Sequence, residues 1–359
     1  MEIDVPALYH AALTSLPVPE WPWLRWLLDR AAVFIQRSLF DADGRYYWVT
    51  FFEALAVLAI AYALRPDWRA RWGGGFLRFC FPPGYFTHRS TVTDLQLNVV
   101  NFLLTPSINL FWRFSAAFFT AQFLAGLVWT FGPGPQALSW NWGTILAATL
   151  LYAVLSDFGY WVWHYIAHMV PGFWYFHKVH HSAEVLTPLV AGRVHPVEAI
   201  LVPMFRNAAV ALGMAPTLYF FVAEAPVWTL FGMGIVASLF AIAGDQLFHA
   251  HVPVSWGPWL NRIFISPATH QLHHSVERRH WDKNMGAFFA VWDWMFGTLY
   301  LPDSRQQIVY GVRDDQPQPH PGLIAAYGLP FVEVARGLAR PMSLLHRRDA
   351  DVSPPPRTD

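Results

Sequence analysis

The stretch HYIAHMVPGFWYFHKVHH, residues 164–181, places five histidines within eighteen positions. The segment directly before it, TILAATLLYAVLSDFGYWVW (144–163), has the length of a membrane helix, which needs about 20 mostly apolar residues. Histidine is the commonest metal ligand in proteins. The stretch therefore predicts a metal site where an apolar helix reaches the edge of a membrane.

The composition of the whole chain agrees with a membrane protein. Of its 359 residues, 55% are hydrophobic and 13% are charged, whereas soluble domains carry about 25% charged residues. The formal net charge is zero, so no global field favours nucleic acid as a partner. The single cysteine, Cys80, excludes an intramolecular disulfide and any metal site built from cysteines alone.

Further apolar runs predict more membrane helices. The run at 97–131 is interrupted by polar residues, and we expect it to combine an interfacial entry with one crossing. The remaining runs cover 46–64, 199–222 and 227–248. We therefore expect an all-α fold, a multi-span integral membrane helical bundle with a histidine-rich site for two metal ions on its cytoplasmic face.

The distribution of arginine predicts that orientation. Four arginines follow the first apolar run, and cytoplasmic loops carry an excess of such charges. Two excursions across the membrane then return the chain to the cytoplasm at His164 and again at His249. Because a preference for arginine over lysine is typical of GC-rich bacterial genomes, we expect the bacterial inner membrane.

These patterns divide the chain into three regions. Residues 1–95 hold the first span and the arginine-rich loop, and residues 96–305 form the catalytic membrane region. Residues 306–359 form a tail that ends in RRDADVSPPPRTD. This polar, proline-rich composition is typical of disorder, so we expect the tail to be partly disordered.

Eight of the sixteen histidines fall in three short strings. The first pair is spaced i, i+4, which in a helix places both rings on one face. The strings are HYIAH with His164 and His168, HKVHH with His177, His180 and His181, and HQLHH with His270, His273 and His274. The segment DQLFHAH adds His249 and His251 between the second and third strings.

The number of histidines indicates two metal ions. Unpaired polar groups near lipid cost several kcal/mol each, whereas a metal lets each neutral ring give one nitrogen to the ion and its other N–H to an acceptor. Eight ligands exceed the four that one zinc takes. Imidazole accepts zinc, copper, nickel or iron, and an all-histidine set for two ions favours iron without proving it.

The order HxxxH, HxxHH, HxxHH resembles the fatty acid hydroxylase and sterol desaturase family of integral-membrane di-iron oxygenases. The resemblance covers about 150–301, and the chain departs from the usual residues of the family at Tyr165, Gln271 and His251. It extends to the flanking segments DFGYWVWHYIAH, FWYFHKVHHSAE, AGRVHPVE, SPATHQLHHS and DKNMGAFFAVWDWMFGTLY.

The resemblance implies an O2-dependent enzyme that hydroxylates or desaturates a C–H bond of a lipid. Two iron ions would form the catalytic centre, and zinc could replace them in purified protein. The substrate, a sterol, fatty acyl, sphingoid or related lipid, would enter from the bilayer. Two electrons would come from a separate ferredoxin, cytochrome or reductase, because the sequence has no Gly-rich dinucleotide motif and one cysteine.

We predict individual roles for these residues. The predicted metal ligands are His164, His168, His177, His180, His181, His249, His270, His273 and His274. His195 and His251 are candidates for either a ligand or a structural role. Asp157 lies seven residues before His164 and is predicted, with Asp282 and Asn284, to orient ligand rings. Isolated histidines such as His10 and His346 are predicted to have ordinary structural roles.

Alternative functions stay open at this stage. A b-type haem protein would need lone histidines in the middle of its spans, and a Soret band would identify it. A zinc-dependent membrane hydrolase would need a glutamate base beside its ligands, as in HExxH, and no such string occurs. A metal transporter would carry its ligands at the bilayer midplane.

Overall fold

The computed structural model describes residues 48–67, 70, 75–108, 115–222, 229–230, 233–234, 245–302, 308–312 and 318–338, together with positions 25, 28, 29 and 32. Most of this part of the chain is helical. The α-helices, in chain order, are α1 Trp48–Leu64, α2 Phe76–Cys80, α3 Arg89–Ile108, α4 Ala116–Phe131, α5 Trp142–Met169, α6 Pro171–His181, α7 Pro196–Phe220, α8 Gly257–Leu260, α9 Pro267–His273, α10 Val291–Phe296 and α11 Leu323–Leu338.

Short elements complete this part of the chain. Strand β1, Thr229–Leu230, pairs antiparallel with β2, Met233–Gly234. The 3-10 helices cover Pro188–Gly192, Asp245–Leu247 and Arg278–His280. A helical fold agrees with the expectation from the sequence.

Two of the described helices, α5 and α7, are long and apolar enough to cross a membrane. They correspond to the predicted spans at 144–163 and 199–222. The helices α1 and α4, of 17 and 16 residues, are apolar but shorter. The predicted span at 227–248 lies largely outside the described residues, so the full number of spans stays a prediction.

Helix α5 carries the first histidine string at its end. It begins with a capping box, in which the Thr144 N–H donates to Asn141 Oδ1 at 3.0 Å and the Asn141 N–H donates to Thr144 Oγ1 at 2.9 Å. After Met169 the chain turns, and Pro171 starts α6 at a position where its missing N–H costs no helical hydrogen bond. This break brings the second histidine string back toward the first.

Close contact between α5 and α7 depends on a glycine. A Cβ atom added at Gly159 would lie 2.6 Å from the Phe205 carbonyl oxygen and 2.9 Å from the Ala209 Cβ. Small residues of this kind let two membrane helices approach each other closely. A further contact, 2.6 Å between the hydroxyl oxygens of Tyr152 and Thr217, joins the other ends of the same two helices.

Buried charged side chains connect α6 to neighbouring parts of the chain. The Arg193 side chain is fully buried and donates to Asp94 Oδ1 on α3, to the Val179 carbonyl oxygen and to Ser182 Oγ, each at 2.7 Å. In addition, Lys178 Nζ donates to Glu333 Oε1 of α11 at 2.6 Å. Removing one partner of such a buried pair costs about 3–5 kcal/mol, so these contacts strongly restrain the helix.

Two of the polar residues that interrupt the predicted run at 97–131 have a structural use. Asn98 Nδ2 donates to the Leu189 carbonyl oxygen at 2.9 Å, and Asn101 Nδ2 donates to the Val194 carbonyl oxygen at 2.7 Å. Helix α3 thus binds the irregular segment that follows α6 and satisfies its carbonyl groups. It supports the histidine-bearing end of the bundle.

Candidate metal centre

The nine predicted histidine ligands come together in two groups. Within each group, one ligand nitrogen from every residue lies within 4.8 Å of all the others. The five-histidine group consists of His164, His168, His177, His181 and His273, and the four-histidine group consists of His180, His249, His270 and His274. The arrangement offers two neighbouring sites, as the ligand count predicts.

Helical spacing explains why each HxxHH string contributes histidines to both groups. In HKVHH, the first and last histidines belong to the five-histidine group and the middle one to the four-histidine group. In HQLHH the assignment is reversed. Residues at i and i+4 share a face of a helix while i+3 lies beside them, so the Nε2 atoms pair at 3.1 Å for His177 and His181 and at 3.2 Å for His270 and His274.

In the five-histidine group, the outer nitrogen Nδ1 of four rings faces an oxygen that can only accept a hydrogen bond. These contacts join His164 to the Met285 carbonyl oxygen at 2.7 Å, His168 to Asp282 Oδ1 at 3.1 Å, His177 to Glu198 Oε1 at 2.6 Å and His273 to the Lys283 carbonyl oxygen at 2.8 Å. The Nδ1 atom must therefore carry the hydrogen. In a neutral ring this leaves Nε2 with a free lone pair, the form in which imidazole binds a metal.

The inner nitrogens then meet without hydrogens between them. The Nε2 atoms of His164 and His177 lie 2.9 Å apart, and two lone pairs at that distance repel each other. The Nε2 atoms of His168 and His273 are buried and lack a hydrogen-bond partner among the described residues. A cation bound at the centre would satisfy all of them, so the donor set fits a metal ion.

Burial keeps the rings outside the membrane helices neutral. Desolvation lowers the pKa of His273 to about 3 and lowers the pKa of His181 well below its ordinary value. The same cause, together with the neighbouring rings, lowers the pKa values of His180, His270 and His274. Neutral imidazole is the form that coordinates a metal ion at neutral pH.

The four-histidine group is held differently. Its Nε2 atoms form a chain, with 3.2 Å from His180 to His249 and 2.9 Å from His249 to His270. The Nδ1 atoms of His180, His270 and His274 are buried without a hydrogen-bond partner in the described part of the chain. The protein therefore orients the five-histidine group more firmly than the four-histidine group.

Two predicted candidates lie in neither group. His195 Nδ1 accepts from the Val197 N–H at 3.1 Å at the start of α7, and its Nε2 lies 3.2 Å from the Tyr327 carbonyl oxygen. His251 Nε2 lies 2.7 Å from the Phe79 carbonyl oxygen. These contacts are those of structural histidines, the other role considered for them.

The predicted orienting residues have different positions. Asp282 contacts the ligand ring of His168 directly. Asn284 instead bonds backbone, since its Nδ2 donates to the Thr269 carbonyl oxygen at 3.0 Å and its Oδ1 accepts from the Tyr300 N–H at 2.8 Å. Asp157 also bonds the chain that follows α9 and has no hydrogen bond to a histidine ring among those described.

Glu198 is a functional candidate that is not among the residues predicted from the sequence. It is buried in the first turn of α7 and accepts the shortest hydrogen bond made to a ligand ring, that from His177. Its signal was available, because an acidic residue three positions after His195 opens an otherwise apolar helix. The backbone carbonyls of Lys283 and Met285 carried no sequence signal at all.

Comparison with known proteins agrees with this geometry. The fatty acid hydroxylase family matches residues 149–298, a segment that contains all nine histidines. No solved structure matches the chain.

Three curated relatives illustrate the match. An ornithine lipid hydroxylase of Rhizobium tropici is 29% identical over 187 residues, covering 52% of this chain and 51% of the relative. The alkylglycerol monooxygenase of Homo sapiens is 30% identical over 44% of this chain and 31% of its own length. A Delta(7)-sterol 5(6)-desaturase of Gibberella zeae is 30% identical over 45% of each.

These alignments cover only part of each protein. The chain spans about half or less of the length of these relatives. The match nevertheless includes each histidine string and the segments between them, which confirms the resemblance inferred from the three strings. Residues 149–298 of this chain are therefore similar to the fatty acid hydroxylase family.

Proposed function

We propose that the chain is a membrane-bound, non-haem di-iron oxygenase that hydroxylates or desaturates a C–H bond of a lipid. The observation that carries the proposal is the pair of buried histidine groups. In the five-histidine group the Nε2 lone pairs converge because Glu198, Asp282 and two carbonyls hold the opposite nitrogens. The names of the relatives, a lipid hydroxylase, an alkylglycerol monooxygenase and a sterol desaturase, support a lipid as substrate.

The protein side of the chemistry consists of holding and shielding. Two irons bound by these nitrogens would supply the reduction of O2 and the oxidation of the C–H bond. Burial of eight of the nine histidines excludes bulk water from the site. Hydroxylation consumes O2, two electrons and two protons and yields an alcohol and water, so the electrons come from a donor outside these 359 residues.

The surroundings of the site favour an apolar substrate. Trp161, one turn before His164 on α5, stacks on Phe296 of α10 with ring centroids 4.6 Å apart. Phe296 and its neighbours Trp294 and Met295 are more than half exposed. These large apolar side chains flank the turn that carries the first ligand, which supports entry of a lipid from the bilayer.

Isotope labelling tests the function. The full chain in membranes of total bacterial lipid, supplied with a ferredoxin and its reductase, is incubated under 18O2. We expect a lipid that gains one labelled oxygen atom or loses two hydrogens, detected by mass spectrometry. The matched control uses 18O-labelled water and unlabelled O2, and label that enters the lipid from water alone would contradict the proposal and indicate a hydrolase.

We also propose that the histidine groups face the cytoplasm. The arginines after α1 support this orientation, and α5 runs toward the histidines while α7 runs away from them, so both helices have the same end at the site.

Single cysteines in a Cys80→Ser background test this orientation. Ser139 precedes α5 at its far end and Arg278 follows the third string, and both are exposed. An impermeant thiol reagent is expected to label Ser139→Cys in intact cells and Arg278→Cys only after the membrane is opened. Labelling of Arg278→Cys from outside would reverse the orientation.

A further inference from the structure

One peptide unit links a buried carboxylate to a predicted metal ligand. The Met285 carbonyl oxygen accepts from His164 Nδ1 at 2.7 Å. The Gly286 N–H, which belongs to the same amide, donates to Asp293 Oδ2 at 2.9 Å. The carboxylate and the ligand ring are therefore bonded to opposite ends of a single amide.

Asp293 has the surroundings of an ionised carboxylate. It is fully buried on α10. Each described partner of its carboxylate oxygens donates a hydrogen bond to it. Its Oδ1 atom accepts from the Met285 N–H at 2.8 Å, from Thr298 Oγ1 at 2.5 Å and from Trp161 Nε1 at 3.2 Å. Burial raises the pKa of Asp293, but these hydrogen bonds are accepted best by the charged carboxylate and oppose that effect.

A charge in this place affects the ligand through the amide. Consecutive hydrogen bonds polarise one another in a low-dielectric interior. An amide whose N–H donates to an anion becomes a stronger acceptor at its carbonyl, and a ring whose N–H donates to a stronger acceptor becomes a more basic ligand at its other nitrogen. The chain from Asp293 to His164 has that order.

Glycine makes the close approach possible. A Cβ atom at position 286 would lie 2.4 Å from the Phe289 carbonyl oxygen and 3.1 Å from Asp293 Oδ2. Any side chain there would push the Met285–Gly286 peptide away from the carboxylate.

We propose that Asp293 is a positioning residue of the five-histidine group and acts on His164 through the Met285–Gly286 peptide. This inference rests on the proposed metal centre. It assigns to Asp293 the control of ring orientation and of ligand strength at one of the two ions.

Asp157 on α5 provides a matched control, because it bonds the same loop. It too is a buried carboxylate that accepts from two consecutive backbone N–H groups, Phe288 at 2.8 Å and Phe289 at 3.1 Å, and from an indole, Trp292 at 2.9 Å. The Phe288 carbonyl between those two N–H groups accepts from the Ile265 N–H and not from a ligand ring. Loss of either carboxylate charge disturbs the loop, but only the Asp293 carboxylate is connected through a peptide to a histidine ring.

The test measures metal affinity of the full chain in detergent. Metal-free wild-type, Asp293→Asn and Asp157→Asn proteins are titrated with cobalt(II) in competition with a chelator, and the visible spectrum follows coordination. We expect Asp293→Asn to weaken the affinity for one of the two ions about 10- to 100-fold, the effect typical of losing a residue that orients a ligand. Asp157→Asn, which disturbs the same loop without a peptide link to a ligand ring, should change both affinities much less.

A double-mutant cycle separates positioning from support of the fold. In a His164→Ala background, Asp293→Asn should have no further effect on cobalt affinity, because its influence passes through that ring. Equal weakening by Asp157→Asn, or an undiminished effect without His164, would overturn the inference while leaving the metal centre intact. A wild-type chain that binds no cobalt would instead overturn the proposed metal centre itself.

A measurement on wild-type protein covers the case in which Asp293→Asn does not fold. Labelling methionine with 13C at the carbonyl carbon and glycine with 15N gives a directly bonded 13C–15N pair only in the Met233–Gly234 and Met285–Gly286 peptides, because Met–Gly occurs twice in the sequence. Adding zinc should shift the Gly286 amide resonance and leave that of Gly234 in place. A Gly286 resonance that does not respond to zinc would overturn the inference.

Discussion

His177→Ala is expected to abolish lipid oxidation and to remove one of two metal ions. The Nε2 atom of His177 lies 2.9 Å from that of His164 and 3.1 Å from that of His181, so it stands in the middle of the five-histidine group. Its loss also leaves the buried carboxylate of Glu198 without its partner. Because loss of an orienting partner alone costs about 10- to 100-fold in affinity or activity, loss of the ligand should bring turnover below detection.

Metal content and turnover of the same purified samples check this result. His195→Ala is the matched control, because His195 is equally buried but belongs to neither group. It should keep both ions and measurable activity. His180→Ala should remove the ion of the four-histidine group instead. A His177→Ala protein that still binds two ions would contradict the assignment of His177 as a ligand in the five-histidine group.

Removal of iron is expected to have an effect of the same size. Chelation should stop turnover, and iron(II) added without oxygen should restore it. Zinc should fill the sites, since imidazole nitrogens bind it more tightly than iron(II). It should not restore activity, because zinc has no redox chemistry.

The readout is oxidised lipid per chain, measured beside elemental analysis of the same sample. Zinc-loaded protein that retains its fold but makes no product would support the redox mechanism. Turnover with zinc alone would refute it and revive a hydrolytic function. Zinc found in protein from an overexpressing strain would decide nothing by itself, because it competes well for these ligands.

Local spacing is the reason that the histidine strings are predicted as metal ligands. His164 and His168 lie four residues apart on one helix, and the two HxxHH strings repeat that spacing. Their approach to one another follows from apolar helices that return to the same side. The two candidates with weaker patterns, His195 and His251, are the ones that the structure places outside both groups.

Residues that act over long separations were harder to predict. The helical offset of Asp157 from His164 is about two turns, yet its carboxylate bonds Phe288 and Phe289, more than a hundred positions away. The sequence around Asp293 does not have the spacing typical of a metal ligand. Its contact with the site passes through the Gly286 N–H. Backbone acceptors such as the Met285 carbonyl are invisible in a sequence, since every residue has one.

The amino-acid sequence by itself determined which side chains could bind metal, that they number more than one ion needs, and which family the histidine strings resemble. These properties depend on residue type and on neighbours within a few positions. Only the tertiary structure decided the division into five and four histidines and the acceptors that face four of the Nδ1 atoms. Those depend on how α5, α6, α9 and the loop before α10 pack together, and packing joins residues such as His164 and Met285 that lie 121 positions apart in the chain.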